Sequence, residues 1–431
     1  MPHTFEYIAS GVSYFQILNM VIHDRPELQA IINKHFVRIN GLNNHKFSML
    51  YNAFTEAKFG KLFYDFYKDS IYKVHADSGG LQMITQGKKM TESLKDDIYR
   101  QQAKYSDIAM CFDEIPIKVT GEKSKIGDTD SRIYDTENLE RYARATGKNI
   151  RRQLEVFASE KSTSKPMLIV QGNCYDSSMK WTEFVVDEIP KELQPFIAGL
   201  AIAGSSMGSG FLEDIERVAY IPYLPFETNY AHVLGVGSGK RMLPLLALLR
   251  SGYFPKDYHI SYDSTSHTMG LAVGRYYIDN NIIQISRHLD KNYLRIYNEM
   301  NEKYDLVGQD IDMTKFHKIV NSHGNYYTIE RATGTKSGKY LDNKAKDYYN
   351  VKVGFVCSMV DNFTKVINEC YKSEKFLLNI SQKNRVLIEI NALLKIKTLD
   401  EFQAWEKEYG KHVHSRRISN IESNTLESFL V

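Results

Sequence analysis

The chain has 431 residues, of which 43% are hydrophobic and 25% charged; these values exclude an intrinsically disordered polymer and allow a large buried core. Lys+Arg number 55 against 52 Asp+Glu, a net charge of +3, which excludes a uniformly basic nucleic-acid coat protein but leaves room for a local basic groove.

In chain order, Met1 to Met20 carries no basic segment followed by a long apolar run, and no later stretch approaches the length of a membrane-spanning helix. A soluble protein that is not exported is expected. Short apolar, β-prone runs then recur: Tyr72–Asp77, Ile108–Asp113, Met167–Gln171, Ile197–Gly204, His232–Gly237 and Tyr258–Asp263. Most successive runs lie about 30 residues apart, the length of a βα unit. Between them, Thr91–Tyr105, Thr136–Ala158 (with Asp135 as N-cap), Leu212–Ala219 and Arg241–Ser251 read as helices. The polar segment Thr120–Asp130 reads as an inserted surface loop. A strand–helix repeat of this period implies a parallel sheet. Six visible units plus weaker flanking ones favour an α/β fold, a closed (β/α)8 TIM barrel with insertions, over an open sheet. The barrel domain is placed at residues 1–300. A mostly helical C-terminal extension follows at 301–431, with helices at Phe355–Tyr371, Lys383–Lys395 and Asp400–Tyr409, and a loose tail from Val413. Nucleic-acid binding is a candidate role for this extension.

The cysteines, Cys111, Cys174, Cys357 and Cys370, form neither a CxxC clip nor a disulfide framework, which fits a reducing cytoplasm. The histidines His259, His267, His288, His317 and His323 fit no standard metal spacing and read as ordinary core or surface residues. No metal and no cofactor are expected.

Barrel enzymes carry their reactive residues at the C-terminal ends of the strands. The residues at or near the ends of the six runs are Asp77, Asp113, Gln171, Gly204, Gly235 and Asp263. Carboxylates there suit general acid/base or nucleophilic work. Gln and backbone amides suit a planar, hydrogen-bonding ligand such as a nucleobase. The plainer alternative for any single Asp is a turn former or helix N-cap; three together fit that alternative less well.

Six blocks in order carry a resemblance. HADSGGLQ (His75–Gln82), SDIAMCFDE (Ser106–Glu114), IVQGN (Ile169–Asn173), GLAIAG (Gly199–Gly204), HVLGVG (His232–Gly237) and YDSTSHT (Tyr262–Thr268) resemble the queuine and archaeosine tRNA-guanine transglycosylase superfamily over roughly residues 70 to 270. The resemblance implies a (β/α)8 barrel that exchanges a guanine in a polynucleotide for a 7-deazaguanine base. It implies Asp263 as the nucleophile at C1′ and Asp77 as the general acid/base. Asp113 would read the Watson–Crick edge of the base, and Gln171 with the Gly204 amide its O6 side. Leu81 stands where many family members stack an aromatic ring on the base, and Leu234, next to Gly235, would form the opposite wall. Ser205 and Ser206 would lie near the 7-substituent. The target nucleotide must be flipped out or already unpaired to reach a barrel mouth.

The tRNA enzymes hold a structural zinc through a CxCxxC cluster and a His after the nucleophile strand, whereas Ser264–Val356 here contains no cysteine. That departure and the different C-terminal extension make the chain more similar to the phage DNA-modifying branch. The implied activity is therefore a DNA-guanine transglycosylase inserting a 7-deazaguanine such as preQ0, protecting a phage genome from restriction in the host cytoplasm. Its implied partners are DNA, guanine and the 7-deazaguanine, with no membrane and with a homodimer as an allowed state. The alternatives are a tRNA-guanine transglycosylase and a non-catalytic nucleic-acid-binding partner subunit. Candidate phosphate-backbone contacts are Lys88, Lys89, Lys148, Arg151, Arg152, Lys240 and Arg241, each with a solvated helix face as the plainer reading.

Two rival motifs are weaker. GSSMG (Gly204–Gly208) matches a hydrolase nucleophile elbow around Ser206, but the transglycosylase blocks already account for these residues. GVGSGKR fails as a phosphate loop, because Leu234 stands where Gly is needed and Arg241 where Ser or Thr is needed.

Overall fold

The computed structural model describes residues 4–11, 18–19, 23, 26–41, 45–80, 90–119, 132–135, 137–172, 174–203, 213–235, 239–264, 275–278, 281–284 and 390–409. Eight parallel strands close into a barrel: β1 (Thr4–Ser10), β2 (His45–Asn52), β3 (Val74–Asp77), β4 (Ile108–Met110), then, after the two short strands of an inserted hairpin, β5 (Ile117–Val119) and β6 (Arg132–Tyr134), the barrel continues with β7 (Lys165–Val170), β8 (Gly199–Ile202), β9 (Tyr230–Val233) and β10 (His259–Ser264). The order around the wall is β1-β10-β9-β8-β7-β4-β3-β2. The expected α/β barrel is therefore the fold. The weaker flanking strands are β1 and β2, both N-terminal. β1 closes the ring against β10, with Tyr7 opposite Tyr262 and Ile8 opposite Asp263.

The helices form the outer layer. They are α1 (Glu27–Asn40), α2 (Ala57–Leu62), α3 (Glu92–Tyr105), α4 (Leu139–Ser159), α5 (Tyr175–Asp187), α6 (Glu213–Tyr220) and α7 (Gly239–Ser251). α3 starts as its sequence requires: Thr91 is the N-cap, and its Oγ1 accepts from Leu94 N at 3.3 Å. α4 does not start at the expected cap. Asp135 is tied into the β5–β6 hairpin, donating its N–H to Pro116 O at 2.9 Å, so the helix begins after Asn138. The Asp135 carboxylate instead accepts from Asn138 Nδ2 at 2.9 Å. The expected loop Thr120–Asp130 joins the hairpin strands and lies outside the described residues.

Buried polar side chains tie α3 and α4 to the strand ends that matter. Gln102 Nε2 on α3 donates to Ala76 O at 3.2 Å and to Met110 O at 2.9 Å, and its Oε1 accepts from Gln153 Nε2 of α4 at 2.7 Å. Asn149 Nδ2 on α4 donates to Phe112 O at 3.1 Å, and Lys95 Nζ in turn donates to Asn149 Oδ1 at 2.9 Å. Satisfied in this way, buried amides hold backbone rigidly, because each lost bond leaves a desolvated group unpaired. The segments leading into Asp77 and Asp113 are thus fixed from behind.

Residues 390–409 pack on the outside of the barrel. Phe402 and Trp405 are buried, Phe402 meets Tyr220 edge-on at 5.8 Å, and Tyr220 OH donates to Glu406 Oε2 at 2.9 Å. This part of the C-terminal region shares the barrel's core. The expected helix Phe355–Tyr371 lies outside the described residues. Among the described residues no helix is long and apolar enough to cross a membrane.

Gly199 at the start of β8 marks a tight contact in the wall. A Cβ there would sit 2.3 Å from the carbonyl oxygen of Tyr230 on the neighbouring strand. Gly199→Ala is therefore expected to cost about 1–3 kcal/mol, read as a lowered urea midpoint with the slope unchanged.

Candidate active site

The C-terminal mouth of the barrel gathers Asp77, Asp113, Gln171, Leu234, Gly235 and Asp263. β3 and β10 are separated in the wall only by β2 and β1. Asp77 ends β3 and Asp263 is the penultimate residue of β10, close enough for the charge of Asp263 to act on Asp77, and the charge of Asp77 acts in turn on Asp113.

Asp263 is held at both oxygens. Gly235 N donates to Oδ1 at 2.7 Å, and Ser10 Oγ donates to Oδ2 at 3.2 Å. His232 Nε2 lies 3.5 Å from Oδ1. Burial pushes this carboxyl up, but the nearby His232, with the Gly235 N–H and Ser10, outweighs it and holds Asp263 below its ordinary value.

Asp77 is the opposite case. Burial first, and then the charge of Asp263, push it from 3.8 to about 6, against the opposing N–H groups of Gly79 and Ser78. Asn52 Nδ2 donates to Asp77 Oδ2 at 3.2 Å. The amide cannot turn round, because Asn52 Oδ1 already accepts from Phe54 N and Thr55 N, both at 3.0 Å. Gly79 makes this close arrangement possible. It has φ +79°, and a Cβ would lie 2.7 Å from both Asn52 Oδ1 and Phe54 Cβ. Beside this group, Glu56 is nearly buried and is pushed up to about 7, by burial first and also by the charge of Asp77.

Asp113 and Gln171 form a buried pair, with Gln171 Nε2 donating to Asp113 Oδ2 at 2.6 Å. Burial, with a contribution from Asp77, pushes Asp113 up to about 6 despite that hydrogen bond. Gln171 Oε1 is buried with no hydrogen-bond partner among the described residues. This refines the expected role of Gln171. One of its N–H groups is committed to Asp113, which leaves a second N–H and a bare carbonyl oxygen for a ligand. Together the pair offers carboxylate and amide oxygens to a planar donor edge, plus one donor to a carbonyl.

Other expected residues stand differently. Leu234 is partly buried against the core, its N–H donating to Ile202 O at 3.1 Å, one residue before the Gly235 amide that binds Asp263. Leu81, Lys88, Lys89, Gly204, Ser205 and Ser206 lie outside the described residues, as do His267, His288, His317, His323, Cys357 and Cys370. Lys240 and Arg241 fall in the first turn of α7, where only the backbone is described. Arg151 and Arg152 are half-exposed and ion-paired. Arg152 forms a two-point ion pair with Asp96 of α3, at 3.0 and 2.8 Å, and both arginines reach Glu155 at 3.3 Å. Helical spacing explains this, because Glu155 lies three and four residues on, on the same face. Lys148 is exposed and forms no ion pair among the described residues. Nor is any group of three His, Cys, Asp or Glu side chains there arranged to hold a metal ion.

Ser10, Asn52 and His232 are the site residues that the sequence did not single out. Parity along β3 and membership of a quoted block on β9 were the available signals. His75 precedes Asp77 by two positions and so faces the same side of the strand, and His232 opens the block containing Gly235. The chain matches no protein-family model and no curated protein.

Proposed function

We propose that the protein is a guanine transglycosylase acting on DNA, which exchanges a guanine for a 7-deazaguanine base through a covalent aspartyl-glycosyl intermediate. The observation that carries this reading is the division of labour among the mouth carboxyls. Asp263 is kept ionised by donors on both oxygens, Asp77 keeps its proton up to about 6, and Asp113 is clamped by Gln171. Carboxyl groups whose surroundings drive them apart in this way suit a nucleophile and an acid.

In the proposed reaction an Asp263 oxygen attacks C1′ of the target nucleoside. The C1′–N9 bond breaks, its electron pair goes to the guanine, and Asp77 supplies the proton that the departing base needs. The incoming base gives its N9 proton to the Asp77 carboxylate, and N9 attacks C1′. The ester bond breaks, restoring the Asp263 carboxylate. Two inversions retain the configuration at the sugar, as in retaining glycosidases. The acceptor oxygens of Asp113 and Gln171 match the adjacent N1–H and 2-amino donors that guanine and 7-deazaguanines share.

The test is incubation of the full chain with radiolabelled guanine and, separately, guanine-containing DNA or unmodified tRNA. Label in DNA only is the expected result. Label in tRNA only would replace the DNA reading with the tRNA enzyme, and label in neither would favour a binding subunit.

A further inference from the structure

The barrel interior below the site is unusually polar. His232 and His75 are fully buried, their rings stacked at 6.2 Å with planes 27° apart. His75 Nε2 lies 3.0 Å from Glu6 Oε1, and the other Glu6 oxygen is 2.5 Å from His259 Nε2. Glu6 is fully buried as well. On its far side, His232 Nδ1 is 2.9 Å from Ser261 Oγ, which is itself 3.0 Å from Tyr230 OH. A string of ionisable groups thus runs down the barrel from Asp263 to His259. Filling this volume with aliphatic side chains would avoid the desolvation that these groups suffer.

We infer that His232 is a positioning residue for Asp263: anchored by Ser261 and backed by His75 and Glu6, its imidazole keeps the mouth carboxylate ionised and aimed among its acidic neighbours. This rests on the transglycosylase reading for its catalytic meaning, though not for its geometry. Two anchors fix the ring, the Ser261 contact at Nδ1 and the His75 face, and leave Nε2 3.5 Å from Asp263 Oδ1. Buried Nε2 makes no hydrogen bond among the described residues, and the Asp263 carboxylate lies 3.5 Å from it. A buried polar nitrogen so placed is tolerated only if its neighbour repays it.

The groups facing His232 are Asp263 and Ser261 from β10, Tyr230 on its own strand, and His75 and Asp77 from β3. Glu6 of β1 stands behind His75. Asp77, Asp113 and Asp263 crowd one mouth, and like charges there favour protonation of some of them. The imidazole lies against Asp263, so that carboxyl stays ionised while Asp77 takes the proton. During exchange the same contact acts twice. It holds the attacking oxygen in its charged form, and it stabilises the carboxylate as it departs from C1′ in the second half.

The test uses the full chain with 13C-labelled aspartate carboxyls. Asp263 is identified by the resonance lost in Asp263→Asn, and its titration is followed in the wild type and in His232→Gln. The expected result is a midpoint raised by about one pH unit or more in His232→Gln, which leaves about ten-fold less of the ionised form at pH well below both midpoints. An unmoved midpoint overturns the inference. In parallel, the pH profile of guanine exchange into DNA should show its acidic limb displaced upward with KM little changed, the two proteins converging at high pH. A uniform loss at every pH would mark a merely structural role and also overturn it. Ser261→Ala keeps the imidazole but removes its anchor, so it should move the midpoint in the same direction by less. It therefore serves as the readout if His232→Gln does not fold. No exchange by the wild type, with the titration shift present, would sink the transglycosylase reading and leave the His232–Asp263 relation standing.

Discussion

Asp263→Asn is expected to reduce guanine exchange by on the order of 10⁴-fold or more, while binding of the polynucleotide changes little. The amide is nearly isosteric: its oxygen can still accept from Gly235 N, and its NH2 can donate to the Ser10 hydroxyl, which then accepts instead of donating. What it loses is the charged oxygen that would form the ester, and an amide is a far poorer nucleophile. Two measurements check this: label incorporated per unit time, and a protein–nucleic acid adduct that survives denaturing electrophoresis. The adduct should form with the wild type when the incoming base is withheld and be absent from the variant. Exchange unchanged in Asp263→Asn or Asp263→Ala would move the nucleophile elsewhere in the mouth.

Asp77→Asn should cost roughly 10²–10⁴-fold in exchange, and it should also stabilise the fold. The sign follows from the direction of the shift. Asp77 binds its proton more tightly folded than unfolded, moving from 3.8 to about 6. Its contribution to stability is therefore complete below the unfolded value and is lost as pH rises through about 6. At neutral pH the loss is roughly 3 kcal/mol at most, and nearer 1–2 kcal/mol for a carboxyl partly open to solvent. Asn carries no charge to desolvate, and its one oxygen can keep the Ser78 and Gly79 donors, although its NH2 then faces the fixed Asn52 Nδ2 and takes back part of the gain. Thermal melts at pH 7–8 should place the variant above the wild type, and the difference should close toward pH 4. Guanine release by the wild type should fall as pH rises through about 6, and that limb should be missing from the variant. Loss of activity with no gain in stability would mean that Asp77 is a structural residue.

The strands that carry most of the site were legible because they are apolar runs ending abruptly in Asp or Gln. β3, β4, β7 and β10 fall on such runs and β8 on one that ends in Gly, whereas β9 (Tyr230–Val233) shares only His232 and Val233 with the expected run His232–Gly237. β1 and β2 were not individually legible, for a physical reason. Their inward positions hold Glu6, Ser10, Ser48 and Asn52, buried polar groups that interrupt the apolar pattern. Those same interruptions supply the partners of Asp263 and Asp77, so the support of the site was hidden where the strands were. Conversely, Arg151 and Arg152 were legible as a basic cluster, but their partners were not. Asp96 lies 56 residues away from Arg152 and meets it only once α3 and α4 pack side by side.

Closure of the wall by β1 and β10 also sets when the chemistry can begin. Ser10 and Asp263, which share a hydrogen bond, are 253 positions apart. At roughly 5–20 residues per second, the ribosome needs about 13–50 s to make the second after the first. Throughout that interval β1 has one unpaired edge, and the Glu6 oxygen that ends on His259 has no partner strand to meet. A nascent chain halted before β10 would hold Asp77 and Asp113 but no Asp263. The proposed reactivity toward nucleic acid would therefore switch on in one step, at the moment the first strand made is joined by the last. That step is also the slow, long-range pairing on which folding of this topology waits.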